Sequence, residues 1–256
     1  MSEFRSTSTP KVGRISGNTF QHREVKYAPL GGLAIFEGDI ALGSVAQIEA
    51  VSRDPAVRNI AQKGIVIKGD QYRWLQGKIP YRIDPSFPKA ERVTGAIAHW
   101  EAKTRIRFIA LTGETLNRYR DRVLFAARDG CWSYVGRQGG EQVISLGEGC
   151  SLGNAIHEIG HAVGLWHEQS RKDRDDYVKV NLQNIETGME HNFDQHITDG
   201  DDIGPYDYDS IMHYPVWAFS KNGQNTIEAK NGAEIGKRDE LSGGDIDAVK
   251  AIYPNL

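Results

Sequence analysis

The stretch His157-Glu158-Ile159-Gly160-His161-Ala162-Val163-Gly164-Leu165-Trp166-His167 constrains this chain more than any other. It gathers three imidazoles and one carboxylate within eleven residues. An α-helix turns about 100° and rises about 1.5 Å per residue. His157 and His161 are therefore about 40° apart in direction and one turn apart in height, so both rings can face one ion. Glu158 sits one step round, close to that ion but off the ligand axis. A carboxylate there can take a proton from a water that the ion holds. On a continuous helix His167 would lie about 9 Å further up, so the chain must turn back between His161 and His167. Gly164 is placed for that turn, because glycine accepts the left-handed backbone that ends helices. Three neutral histidines fill three positions of a tetrahedral zinc site at about 2.0–2.1 Å and leave a fourth open, which marks a catalytic site. The expectation is one zinc ion per chain. A His-x-x-x-His pair alone is common on solvated helix faces, and even His-Glu-x-x-His gives false matches. Gly164 and His167 at their offsets carry the reading.

Around this stretch the chain alternates between strand-like and helix-like patterns. Residues 79–83, Ile-Pro-Tyr-Arg-Ile, read as a strand opened by a proline. Val93, Ile97 and Trp100 recur at helical spacing between Lys89 and Lys103. Arg105–Leu111, Arg122–Ala127 and Gln142–Leu146 read as strands. The metal-bearing helix is expected to start near Asn154, as its cap, and to end near Gly164. Ser242 is expected to cap a last helix through Ala251. Asp199–Gly204 reads as a solvated loop. Its acids could attract calcium, but their spacing is not that of an EF-hand.

The eleven-residue pattern is the metzincin signature of zinc proteases, and the residues after it narrow the match. His167-Glu168-Gln169-Ser170-Arg171 leads to Asp173-Arg174-Asp175, Tyr177-Val178 and Asn181, and later to Ser210-Ile211-Met212-His213-Tyr214. Together these resemble the astacin family of zinc endopeptidases. The resemblance runs from about Ile67 to Tyr253 and includes Trp74, Ile106-Arg107-Phe108 and Cys131-Trp132-Ser133-Tyr134-Val135-Gly136. It implies an α+β fold. An upper mixed five-stranded sheet with two helices (about 65–164) faces an irregular lower half with a C-terminal helix (about 165–256) across a cleft. It implies His157, His161 and His167 as zinc ligands, Glu158 as general base, and Met212 in the turn beneath the metal. Tyr214 would ligate zinc in the resting mature enzyme and swing to stabilise the transition state. Glu168 would meet the new amino terminus after activation. The strand at Gln142–Leu146 is expected at the sheet edge above the cleft, where an extended protein or peptide substrate could pair with it.

Residues 1–64 lie outside that resemblance to the protease domain and are expected to form an extended inhibitory pro-segment. Within it, Phe36-Glu37-Gly38-Asp39 resembles the short motif of astacin pro-segments whose aspartate takes the open position on zinc. A carboxylate is a competent zinc ligand at about 2.0–2.2 Å. Gly38 would let the backbone approach the cleft, and Phe36 could fill an apolar subsite. Four residues on their own would read as an ordinary turn. The resemblance makes the chain a latent proenzyme, activated by another protease near Lys63-Gly64-Ile65.

Two cysteines, Cys131 and Cys150, are present. The residues alone allow free buried thiols or a bridge, and the resemblance implies one disulfide between them. Arg105 stands where the family usually has a further cysteine, so the family's second bridge is absent. The net charge of −3 is too small to argue for nucleic acid. Residues 1–64 carry eight Lys/Arg against six Asp/Glu, and the remainder 23 against 28, a weak complementarity. No apolar run is long enough to span a membrane. The expectation is a secreted monomer whose signal peptide is not in this chain, with Met1-Ser2-Glu3-Phe4 incidental. Two rivals remain: a zinc-stabilised binding protein without catalysis, and a hydrolase of small amides. The presence of Glu158 and Tyr214 argues against the first, and a long peptide-pairing edge against the second.

Overall fold

A computed structural model describes residues 4–15, 23–53, 69–195 and 201–256. The expected activation bond near Lys63-Gly64-Ile65 lies outside the described residues, as do the first two residues of the Asp199–Gly204 loop. Residues 201–204 of that loop form no helix or strand.

The amino-terminal segment is extended only locally. Strands β1 (Lys11–Ile15), β2 (Arg23–Leu30), β3 (Leu33–Phe36) and β4 (Ile40–Ser44) form an antiparallel meander, followed by helix α1 (Val45–Arg53). Ile15, Val25, Tyr27, Phe36, Ile40, Leu42 and Ile48 bury a small core that closes over Val135 and Trp166. A two-residue period over strands this short is easily read as a polar tail, which is why the sequence suggested an extended run. Phe36 packs in this core, edge-on to Trp166 with ring centroids 6.3 Å apart. Its surroundings thus combine the segment's own core with Val135 and Trp166.

The expected five-stranded sheet is present. It comprises β5 (Lys78–Ile83), β6 (Arg107–Ala110), β7 (Arg122–Ala126), β8 (Cys131–Trp132) and β9 (Glu141–Leu146) in the order β6-β5-β7-β9-β8. All pairs are parallel except β8–β9. Helices α2 (Glu91–Lys103) and α3 (Leu152–Val163) pack on the sheet. The Trp100 indole donates to Ile156 O (3.0 Å) and the Trp74 indole to Ala162 O (2.7 Å), so both tryptophans bury without an orphaned donor. Cys131 and Cys150 are bridged.

The edge strand is not where the sequence suggested. β9 has β7 on one side and β8 against Ser145 and Leu146 on the other, so Gln142–Leu146 is not the last strand of the sheet. The rim is β8 with the following Ser133. A two-residue strand has no readable period, whereas six alternating residues look the same at an edge or inside. The rim is already paired: Ser133 N donates to Asp39 O (2.9 Å) and Ala41 N to Ser133 O (2.8 Å).

Below the sheet, α4 (Arg174–Tyr177), β10 (Val178–Val180), β11 (Ile227–Ala229) and single 3-10 turns surround Val178, Ile185, Phe193, Tyr206 and Tyr214. Phe4 belongs to the same cluster and is 5% exposed, whereas Met1-Ser2-Glu3 lie outside the described residues. Helix α5 (Gly243–Ile252) has Ser242 as its cap, as expected. Tyr253 ties it back to the upper half, donating to Val163 O (3.0 Å) and accepting from Trp74 N (3.2 Å). Arg105, in place of a bridging cysteine, donates to the Leu256 carbonyl.

Candidate metal centre

Helix α3 carries the centre, and its sequence explains its course. The cap is Ser151, not Asn154. Ser151 accepts from Asn154 N, and the Asn154 side chain accepts from Ser151 N in return. Both residues are good caps, and only this reciprocal geometry separates them. Every residue from Gly153 to Val163 is buried. Small residues allow this: a Cβ on Gly160 would lie 2.6 Å from Met212 Sδ, so the methionine forms a floor directly against the helix. Gly164 ends the helix at φ 125° and donates to Gly160 O and His161 O. The chain then folds back and brings His167 to the same point as His157 and His161.

The three rings lie with centroids 4.8, 5.4 and 4.8 Å apart. The Nδ1 atom of each faces away from their meeting point. His157 donates to Ile211 O (2.8 Å), His161 to Leu165 O (2.8 Å) and His167 to Glu37 Oε2 (2.8 Å). Such outer partners leave the Nε2 lone pairs converging. Arg238 also donates to Ile211 O (2.7 Å), and Asp245 holds Ser210 Oγ (2.6 Å) and Ile211 N (3.0 Å), which fixes the turn that bears Met212.

Asp39 faces the three Nε2 atoms. Its Oδ2 is 3.3 Å from His157 and 3.2 Å from His167, and its Oδ1 is 3.6 Å from His161 and 3.1 Å from His167. Ligands at 2.0–2.1 Å from a common tetrahedral centre lie about 3.3 Å apart. The Asp39–histidine distances are close to that spacing, and the four ligand atoms, all buried, lie within 4.8 Å of one another. His161 Nε2 is buried without a hydrogen-bond partner, as expected of an atom whose lone pair serves an ion. The donor set of three imidazoles and a carboxylate suits zinc.

Electrostatics agree. Burial pushes His157 down to about 3 and lowers His161, which keeps both rings in the neutral, ligating form. Burial acts the same way on His167, but the charges and hydrogen bonds of Asp39 and Glu37 outweigh it and raise the ring to about 9. Two carboxylates here call for positive charge, which a proton or a dication supplies. Asp39 itself is held well below the carboxylate range, burial being overcome by the three histidines.

Glu158 is 1% exposed, next to His157 on the helix. The Tyr214 hydroxyl donates to Glu37 O (2.6 Å), with its ring 4.8 Å from that of His167. Glu168 accepts from Asp207 N (2.8 Å) and lines a cavity of about 100 Å³ with Arg171, Asp207 and Asp245. Burial pushes its carboxyl up to about 8. Arg5, next to the buried Phe4, donates from its backbone to Gly38 O (2.7 Å) and pairs through its side chain with Asp129 (2.5 Å). The sequence pointed to neither Phe4 nor the contacts of Glu37. Glu37 at φ 46° is a non-glycine residue in the left-handed region, and a signal of that kind exists only in three dimensions.

The family model described as Astacin, a peptidase family, matches residues 66–254. The chain belongs to the astacin family. Its fold is that of these zinc metalloproteinases, and the family's cofactor fits the donor set found here. The chain is 39% identical over 243 residues to "Zinc metalloproteinase nas-13" of Caenorhabditis elegans, covering 91% of this chain and 52% of that protein. It is 38% identical over 231 residues to "Blastula protease 10" of Paracentrotus lividus, covering 85% and 38%. Among solved structures it resembles High choriolytic enzyme 1, a hatching enzyme zinc-protease from Oryzias latipes. There the TM-score is 0.63 and the identity 36%, covering 73% of this chain and 92% of that one. The structure of myroilysin shares the fold at a TM-score of 0.53 and 21% identity. The chain thus spans about half or less of the length of these two curated relatives.

Proposed function

We propose that this chain is the latent proenzyme of a zinc endopeptidase, with residues 1–64 as pro-segment and residues 65–256 as catalytic domain. One observation carries the reading: the Asp39 carboxylate lies within 3.1–3.6 Å of all three histidine Nε2 atoms, in the place a fourth zinc ligand would take. The pro-segment also pairs with the rim just past β8, where Asp39 and Ala41 bond to Ser133. An extended substrate would pair with the same rim after the pro-segment leaves.

His157, His161 and His167 would hold the zinc ion. Bound there, zinc supplies a dication that polarises the scissile carbonyl and lowers the pKa of a water. Glu158 then accepts the water's proton and passes it to the departing amine. Tyr214, released from Glu37 O, turns its hydroxyl towards the oxyanion and donates to it. Glu168 receives the new amino terminus, whose charge joins that of Arg171, 3.6 Å away, beside its buried carboxyl. A separate protease cuts near Lys63-Gly64-Ile65. The disulfide fits an oxidising compartment, which supports secretion, and we read the enzyme as a monomer. No helix among the described residues is long and apolar enough to cross a membrane.

Unprocessed Asp39→Ala should hydrolyse casein in a chelator-sensitive manner while the intact chain does not. Equal latency of the two proteins, with intact mass verified, would overturn the aspartate switch. Failure of the processed enzyme to cleave any protein would overturn the protease reading.

A further inference from the structure

We infer that Glu37 makes the pro-segment a working part of the zinc site: its carboxylate is the outer partner that orients His167 and helps retain the ion in the proenzyme. This rests on the proenzyme reading above. The outer partners of His157 and His161 are the carbonyls of Ile211 and Leu165, both outside the pro-segment. The outer partner of His167 is a carboxylate on the segment that leaves. A carboxylate behind a ligating imidazole fixes the ring and raises its basicity, and removing such a partner weakens metal binding by about 10–100-fold.

Glu37 is committed to this position. It is 0% exposed, and a buried carboxylate is tolerated only with partners. Its Oε2 accepts from His167 Nδ1 and its Oε1 from Ser170 Oγ, both at 2.8 Å. Its backbone takes the left-handed conformation, which side-chain-bearing residues avoid, and its carbonyl holds the Tyr214 hydroxyl. One residue thus reaches a metal ligand, that ligand's neighbour and the tyrosine. Asp39 and Glu37 together also balance the two charges of a zinc ion in a buried site. Cutting the pro-segment away therefore removes the blocking ligand and the outer partner of His167 in one event. On this inference the proenzyme holds zinc more tightly than the processed enzyme.

The test uses full-length zinc-loaded proenzyme and excess chromogenic chelator, comparing release rates of the wild type, Glu37→Ala, Glu37→Gln, Asp39→Ala and the Asp39→Ala/Glu37→Ala double variant. Glu37→Ala should release zinc about 10–100-fold faster. Glu37→Gln, which keeps an oxygen acceptor, should fall between it and the wild type. The same acceleration should appear on top of Asp39→Ala, and the cobalt-substituted visible spectrum should shift in Glu37→Ala. No further acceleration in the Asp39→Ala background would mean that Glu37 only holds Asp39 in place, and would overturn the inference. So would equal release from the wild type and Glu37→Ala. Should Glu37→Ala lose its fold by circular dichroism, Glu37→Gln substitutes for it. It removes the charge behind His167 while keeping the side chain's size, and release as slow as in the wild type there would overturn the inference. A wild-type proenzyme that binds no zinc would instead count against the zinc-enzyme reading itself.

Discussion

At the level of single residues, this site works because each side chain has its free atom selected by what holds the other one. The three Nδ1 atoms are occupied, so the Nε2 atoms converge. Glu158 is one residue from a ligand yet not among the four that meet. In the processed enzyme, Glu158→Ala should keep one zinc per chain by metal analysis and lose about 10²–10⁴-fold in turnover, the usual worth of a general base. Full turnover would remove Glu158 from that role. The ligand positions were legible because helical geometry is local: offsets of four and six residues with a glycine between are enough to place the rings. Glu37 was not legible. Its partner is 130 positions away, and no pattern within Phe36-Glu37-Gly38-Asp39 says which side chain points where.

Among the helices and strands, the sheet and α3 set the site's rigidity. Ser151 and Asn154 satisfy the first turn of α3 reciprocally. Ser151→Ala should cost about 1 kcal/mol, lowering Tm by about 2–4 °C in a protein of this size. Glu141 on β9 accepts from Arg82 on β5 (2.7 Å) and Arg122 on β7 (2.7 Å), bracing three parallel strands. The hydrogen bond from Arg82, then that from Arg122, overcome desolvation and hold its carboxyl at about 2 against an ordinary 4.5. Because the folded value is the lower one, this bracing stabilises fully above about 4.5 and is lost as the pH falls through about 2. Water reaches all three side chains, so its worth is about 1 kcal/mol at neutral pH. Glu141→Gln should therefore lower Tm at pH 7 and match the wild type near pH 2. An equal deficit at both values would remove charge pairing as the cause. The α2 and α5 patterns were readable from apolar spacing and a serine cap. β8 was not, since two residues carry no period and its identity as the rim comes from pairing alone.

Across the molecule as a whole, the two halves and the amino-terminal segment meet at one point. Phe4 enters the lower aromatic cluster, 4.8 Å from the Tyr214 ring, Arg5 reaches Asp129 above, and Asp39 lies between. An ion at that meeting point is bound by the folded state only, so it should stabilise the whole folded chain. Chelation should lower Tm by several degrees, and zinc in excess should restore it. An unchanged Tm would mean that the ion is not bound at the centre. The Cys131–Cys150 bridge closes a loop that contains β8 and β9 and ends just before α3. Replacing both cysteines by serine should cost about 3 kcal/mol in denaturant unfolding, the chain-entropy value for a loop near twenty residues. A loss under about 1 kcal/mol would show that the loop is already ordered in the unfolded chain.

Residue order alone was enough for the donor set, the helix that carries two of the histidines, the glycine that returns the third, and the family. These depend on offsets of a few residues, over which backbone geometry is fixed. Folding in three dimensions settled which strand is the rim, that the amino-terminal residues form a packed sheet, and that Glu37 stands behind His167. The contacts at the rim and at His167 join residues about a hundred or more positions apart, and only the packing of the separate elements brings them within hydrogen-bond distance.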